Sequence, residues 1–263
     1  MSQALTYASY LKIDELLNLQ APRSHGPNGP EHDELLFIVI HQVYELWFKQ
    51  ILHELDYLGE LLRANDTGRA NQTIRRILTI LKTIVAQVDV METMTPLQFN
   101  AFRGSLESAS GFQSLQFREI EFALGHKRPA ILQHFGALPS HERLEQRYQQ
   151  PSLWDSFLHY LQLNGYAIPQ AQIERDVTQA LAASPEIQAV LITIYRQNPL
   201  VSNLCERLID LDEGFQEWRY RHVKMVERTI GIKQGTGGSS GAAYLASTIK
   251  PFFPDLWAIR ADL

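Results

Sequence analysis

Two long apolar stripes constrain this chain more than any other feature. In the first, Phe37, His41, Tyr44, Phe48, Ile51, Leu55, Leu58 and Leu62 recur at alternating spacings of four and three. That interval returns side chains to one face of an α-helix, so it predicts a single helix over 32–62. In the second, Leu204, Leu208, Leu211, Phe215, Trp218, His222 and Met225 follow the same rule and predict a helix over 200–230. Helices this long and this one-sided must bury their apolar faces against other elements. Between them, Ile74, Ile77, Ile80, Leu81, Ile84, Val88 and Met91 predict a third helix over about 70–94. Thr95-Pro96-Leu97-Gln98 has the residues of a capped helix start, and Pro151 and Ser184-Pro185 mark two more. Gly125, Gly165 and Gly231 fall where helices should stop. No strand-like alternation interrupts this pattern. The expectation is an all-α protein, a single-domain bundle of long helices over 1–263. Two segments stand outside it: the turn-rich 21–30 and the glycine-rich GTGGSSG at 235–241.

Composition removes several classes of function. One cysteine, Cys205, excludes an internal disulfide and any Cys₄ or Cys₂His₂ zinc module. It reads as a buried structural thiol. A net charge of -5 argues against a nucleic-acid partner. The first residues are amphipathic and carry Lys12, Asp14 and Glu15, and no run approaches about 20 uninterrupted apolar residues. The chain is therefore expected in the cytoplasm, with no membrane partner. Nine histidines leave metal chemistry open.

Each stripe holds one histidine where a leucine would otherwise pack. A lone histidine in such a place is usually a core residue satisfied by a hydrogen bond. Two, on separate helices and both among aromatics, suit a slot for a flat cofactor. Neither has a second histidine three or four residues away, and Glu45 is the one carboxylate at such a spacing from His41. A multi-ligand zinc or di-iron site is thus poorly supported. GTGGSSG lacks the Lys-Ser/Thr of a P-loop and follows a helix rather than a strand. It reads either as a flexible linker or as a loop closing over a site, with Thr236, Ser239 and Ser240 as donors. Arg103 sits among Phe99, Phe102 and Leu106; it could pair with Glu107 on its own helix or grip a ligand carboxylate. HERLEQR, from His141, reads as a solvated helix face.

Four blocks carry a resemblance. They are His32-Asp33-Glu34-Leu35-Leu36-Phe37-Ile38; His41-Gln42 with Glu45-Leu46-Trp47-Phe48-Lys49; Phe102-Arg103 with SGFQSLQFR at 110–118; and Trp218-Arg219-Tyr220-Arg221-His222 with GTGGSSG. Together they resemble the tryptophan 2,3-dioxygenase family, from about residue 5 to the C-terminus and most weakly over 126–200. The resemblance implies an all-helical homotetramer, a dimer of dimers, that binds haem b without covalent attachment. It implies insertion of both atoms of O₂ across the indole C2–C3 bond of L-tryptophan, giving N-formyl-L-kynurenine. By the same resemblance His222 is the axial iron ligand, with Trp218, Ser110 and Gly111 also on the cofactor. His41 meets the indole N–H and is the candidate catalytic side chain. Arg103 clamps the substrate carboxylate, Thr236 contacts the amino-acid end, and Phe37, Ile38 and Phe99 line the pocket. Residues 1–30 form an arm that carries Tyr7, Tyr10 and Leu11 to a neighbouring subunit, and 235–241 is the active-site loop. Phe99 and Tyr44 stand where some members have Tyr and Ser. Two alternatives remain: a related haem enzyme that oxygenates a modified indole, and a haem-binding sensor or carrier without turnover.

Overall fold

A computed structural model describes residues 4–136, 140–236 and 240–263. Its helices, in chain order, are α1 (Tyr7–Leu11), α2 (Ile13–Leu16), α3 (His32–Arg63), α4 (Thr67–Met91), α5 (Pro96–Arg103), α6 (Leu115–Ala123) and α7 (Pro129–Phe135). They continue as α8 (His141–Tyr148), α9 (Leu153–Leu163), α10 (Gln170–Ile173), α11 (Pro185–Gln197), α12 (Pro199–Ile230), α13 (Ala242–Ser247) and α14 (Pro254–Ala258). Among the described residues there is no strand, only an isolated bridge between Gly26 and Gly29 in the turn-rich segment. The all-α expectation holds.

The helix starts follow local chemistry. Thr95 and Gln98 form the capping box read from the sequence, with Pro96 at the first helical position. Ser184 caps α11 ahead of Pro185. Pro151 is a correction: it lies outside its helix, and Ser152 with Asp155 forms the capping box of α9. The second long helix also begins earlier than expected, at an Asp66 cap that accepts from Arg69 N, and stops at Met91. Gly125, Gly165 and Gly231 all adopt positive φ after a helix, as helix ends require.

The two stripes divide their labour along their length. The later part of the α3 stripe (Phe48, Ile51, Leu55, Leu58, Leu62) and the earlier part of the α12 stripe (Leu204, Leu208, Leu211, Phe215) are buried in one core with α4, α6, α9 and α11. Of the remaining stripe residues, Phe37, His41, Tyr44, His222 and Met225 are only half-buried because they face a cavity, while Trp218 lines that cavity from within the core. The C-terminal segment is tied down by Asp212, fully buried on α12. Its carboxylate accepts from Phe252 N at 2.8 Å, Phe253 N at 2.9 Å and Trp257 Nε1 at 2.9 Å.

One expectation about the surface changes. HERLEQR is not simply solvated: Arg143 chelates buried Glu119 on α6 and Arg147 chelates Asp56 on α3, while Leu144 and Tyr148 enter a small second core. By length and composition α3 has the apolarity of a membrane-crossing helix, with a mean hydropathy of 1.3 over an 18-residue window, although Gln42, Glu45 and Lys49 interrupt it as the sequence shows. Its inner side packs on other helices, while Leu35, Val39 and Leu46 remain exposed.

Candidate active site

The early part of α3 and the late part of α12 meet across a cavity of about 510 Å³, within the usual size of ligand pockets. From α3 come Phe37, Ile40, His41, Tyr44 and Phe48; from α12 come Trp218, Arg219, His222 and Met225. Phe99 and Arg103 of α5 and Ser110 and Gly111 of the following loop close one side. Gly235, Thr236 and Gly241 complete the wall. Nine of the residues singled out in the sequence therefore converge: Phe37, His41, Phe99, Arg103, Ser110, Gly111, Trp218, His222 and Thr236.

Others do not. Ile38 is absent from the lining, and Ile40 is present instead. Each helical residue turns by about 100°, which carries Ile38 from the inward line of Phe37 and His41 to the flank. Tyr7, Tyr10 and Leu11 lie on α1, 78%, 71% and 42% exposed, and touch none of this cavity. Gly237, Gly238 and Ser239 of the glycine-rich loop lie outside the described residues.

The two histidines differ in how they are held. His41 Nδ1 lies 2.7 Å from the Phe37 carbonyl one turn back, and its ring packs on the Phe37 ring at 4.1 Å. A carbonyl only accepts, so Nδ1 carries the proton. Burial lowers the His41 pKa against the opposing pulls of the Phe37 carbonyl and Glu45. The neutral ring then offers Nε2 as an acceptor. His222 makes no hydrogen bond to a described residue; its ring lies parallel to Trp218, centroids 5.3 Å apart and planes at 2°. Burial, with smaller contributions from His41 and Arg118, pushes its pKa down to about 4, which keeps a nitrogen lone pair free. Behind it stands an aromatic wall. Trp218 meets Phe117 at 4.9 Å, Phe48 at 5.7 Å and Tyr44 at 6.1 Å. The Trp218 indole N–H is buried without a partner.

Arg103 does not pair with Glu107. The α-helix passes into a 3₁₀ turn over Gly104–Leu106, Glu107 leaves it at φ 50°, and the Arg103 guanidinium instead donates to the Gln234 carbonyl at 2.5 Å. Thr236 Oγ1 donates to the Ala109 carbonyl at 2.6 Å, a second tie between the glycine-rich loop and this side of the cavity.

SGFQSLQFR proves to be a compact structural device. Ser110 and Gln113 form a capping box around a single 3₁₀ turn. Ser114 then caps α6, accepting from Phe117 N at 3.2 Å. Gln116 holds α3 through the Glu45 carbonyl at 2.7 Å and carboxylate at 2.9 Å. Phe117 supports Trp218, and Arg118 leads into a polar corner that sequence reading missed. There Arg118, Arg128 and Arg219 surround Glu121 at 2.6, 2.7 and 2.8 Å. The available signals were Arg118 and Glu121 at i,i+3, and a charge at Arg219 inside the Trp218 to His222 turn.

The chain is similar in sequence to known proteins. A family model described as tryptophan 2,3-dioxygenase matches residues 1–164 and 171–263. A tryptophan 2,3-dioxygenase of Herpetosiphon aurantiacus is 92% identical over 263 residues, covering 100% of both chains. That of Anaeromyxobacter sp. strain K is 56% identical over 269 residues, covering 100% of this chain and 97% of its own. That of Arthrobacter sp. strain FB24 is 44% identical over 267 residues, covering 100% of this chain and 93% of its own. With its match spread over nearly all of its length, the chain belongs to the tryptophan 2,3-dioxygenase family.

Proposed function

We propose that this chain is a haem-dependent dioxygenase that opens the indole C2–C3 bond of L-tryptophan with O₂ to give N-formyl-L-kynurenine. The observation that carries this is the convergence, on one aromatic cavity, of two neutral histidines from opposite walls with Arg103 at its side. Family membership supports it.

The residues present fit haem b. His222 offers an unengaged neutral imidazole, the form that ligates a metal. Trp218 stacks behind it with an unpartnered N–H, and Ser110 and Gly111 border the same space. His222 would hold the iron, with Trp218, Ser110 and Gly111 against the cofactor. When bound, haem supplies an iron centre able to bind and activate O₂.

The other side chains act by positioning. Arg103 is suited to a bidentate pair with the substrate carboxylate, and its bond to Gln234 would link that clamp to the glycine-rich loop. Thr236 is assigned to the amino-acid end. His41, its Nδ1–H committed to its own helix, presents Nε2 to accept from the indole N–H. This orients C2 and C3 without requiring His41 to remove a proton. Phe37, Ile40 and Phe99 would flank the ring and keep the pocket dry. Tyr7, Tyr10 and Leu11 are assigned to the pocket of a neighbouring subunit in a homotetramer, a role supported by their exposure. Exposed Leu35, Val39 and Leu46 of α3 offer apolar surface for such an assembly. A cytoplasmic location without a membrane or nucleic-acid partner completes the proposal.

The test is the reduced, haem-loaded protein supplied with L-tryptophan and isotopically labelled O₂. The expected product is N-formylkynurenine carrying both labelled atoms. Turnover only with methylated or decarboxylated indoles would shift the substrate, and reversible O₂ binding without product would refute the enzyme.

A further inference from the structure

The polar corner of the cavity holds more positive charge than its protein partners neutralise. Arg118 is 5% exposed and Arg219 is 4% exposed, yet both line the cavity together with Glu121. One buried carboxylate, Glu121, serves three guanidiniums: Arg118, Arg128 and Arg219. The Nε atoms of all three arginines are buried without a hydrogen-bond partner. Arg118 spends one terminal nitrogen on Glu121, and its other makes no hydrogen bond to a described residue. Arg219 gives its remaining terminal nitrogen to the Thr248 carbonyl, a neutral group. Asp212, the next carboxylate felt by Arg219, is already held by three N–H donors from the C-terminal segment. His126 beside the cluster is held neutral by burial and adds no compensating charge.

Such an arrangement is costly unless an anion completes it, because buried charges need paired partners. The guanidiniums are also held in advance of any ligand. Arg118 lies over the rings of Phe112 at 5.2 Å and Phe117 at 5.1 Å, and Arg219 over those of Phe117 at 5.7 Å and Phe252 at 5.1 Å. Planar, aromatic-braced guanidiniums recognise carboxylates by two parallel hydrogen bonds. Phe117 touches both arginines and Trp218, the support of His222, so corner and iron-ligand wall share one ring.

We propose that Arg118 and Arg219, seated on Glu121 and backed by Arg128, form the carboxylate-binding corner that takes a propionate of the porphyrin. This rests on the haem assignment above. The substrate carboxylate is the other possible source of the same chemistry, but Arg103 on α5 lies outside this cluster and is free to serve it.

The experiment titrates the haem-free full-length protein with protohaem and with protohaem dimethyl ester, following the Soret band. Wild type should bind the free acid about 10- to 100-fold more tightly than the ester, the scale of a lost charge-assisted hydrogen bond. Arg118→Gln should weaken protohaem binding by a similar factor and leave ester binding and the Soret position unchanged, while Arg118→Lys recovers part of the loss. Equal wild-type affinity for acid and ester would overturn the proposal even if Arg118→Gln fails to fold. So would an Arg118→Gln protein with normal haem affinity and a raised KM for tryptophan, which would move the site to the substrate. A wild-type protein that yields no Soret band with either porphyrin would fail the haem assignment itself, and this corner with it.

Discussion

Arg103 shows how much of a residue's role is decided by a break in local structure. Two readings were open from the sequence, a helix-face pair with Glu107 or a ligand clamp. The 3₁₀ turn after Arg103 and the positive φ of Glu107 remove the first, and the guanidinium meets the Gln234 carbonyl instead. Its remaining donors are suited to a carboxylate, so Arg103→Ala should raise the KM for tryptophan about 100-fold while haem binding is retained. An unchanged KM would remove Arg103 from the substrate site. The histidines were legible for a related reason. A polar ring at a leucine position in a strict four-three stripe is visible without coordinates, and the stripes reduce nine histidines to two. Arg118 and Arg219 were not legible, because nothing in the sequence brings α6 and α12 to the same carboxylate.

At the scale of elements, caps and stops were read well where the chemistry is local. Thr95, Ser184 and the three helix-ending glycines need only their own neighbours. Pro151 was misread because the serine after it is the better cap, and proline one residue before a cap is equally comfortable. Gly125 separates two demands that a glycine can meet. Its φ is +94°, and a Cβ there would lie 2.5 Å from Leu181 Cδ1, whereas Gly165 has φ +84° with open space around it. Gly165→Ala should therefore cost about 1 kcal/mol through backbone strain alone. Gly125→Ala should cost about 2–3 kcal/mol, because Leu181 must also move. Thermal melts of the two variants check this, and equal losses would show that Leu181 yields freely.

For the whole molecule, acid sensitivity and assembly are the properties to measure. His126 packs edge-on to Phe252 at 5.8 Å beside Glu121, Arg128, Arg219 and Lys250. Burial pushes its pKa from an ordinary 6.5 down to about 4, against the pull of Glu121. A depressed folded-state value means that the unfolded chain binds the proton more readily. Stability from this group is complete above about pH 6.5 and is lost as the pH falls toward 4. Melting temperature should drop from pH 7 to pH 5, with a shallower slope in His126→Asn; identical slopes would assign the acid sensitivity elsewhere. In solution, light scattering should find four chains, and removing residues 1–12 should impair turnover more than haem binding. A fully active monomer would refute the proposed role of Tyr7, Tyr10 and Leu11 in a neighbouring pocket.

The helical class, the long helices to within a residue or a few at each end, and the two histidines at their inward faces were readable from the order of residues alone. These depend on periodicity and caps, which are properties of neighbours along one chain. Helix packing set the rest: Ile40 rather than Ile38 faces the cavity, Arg103 meets the Gln234 carbonyl, and Arg118, Arg128 and Arg219 share Glu121. Those outcomes depend on how helices distant in sequence are rotated and set against each other, and no local pattern encodes that rotation.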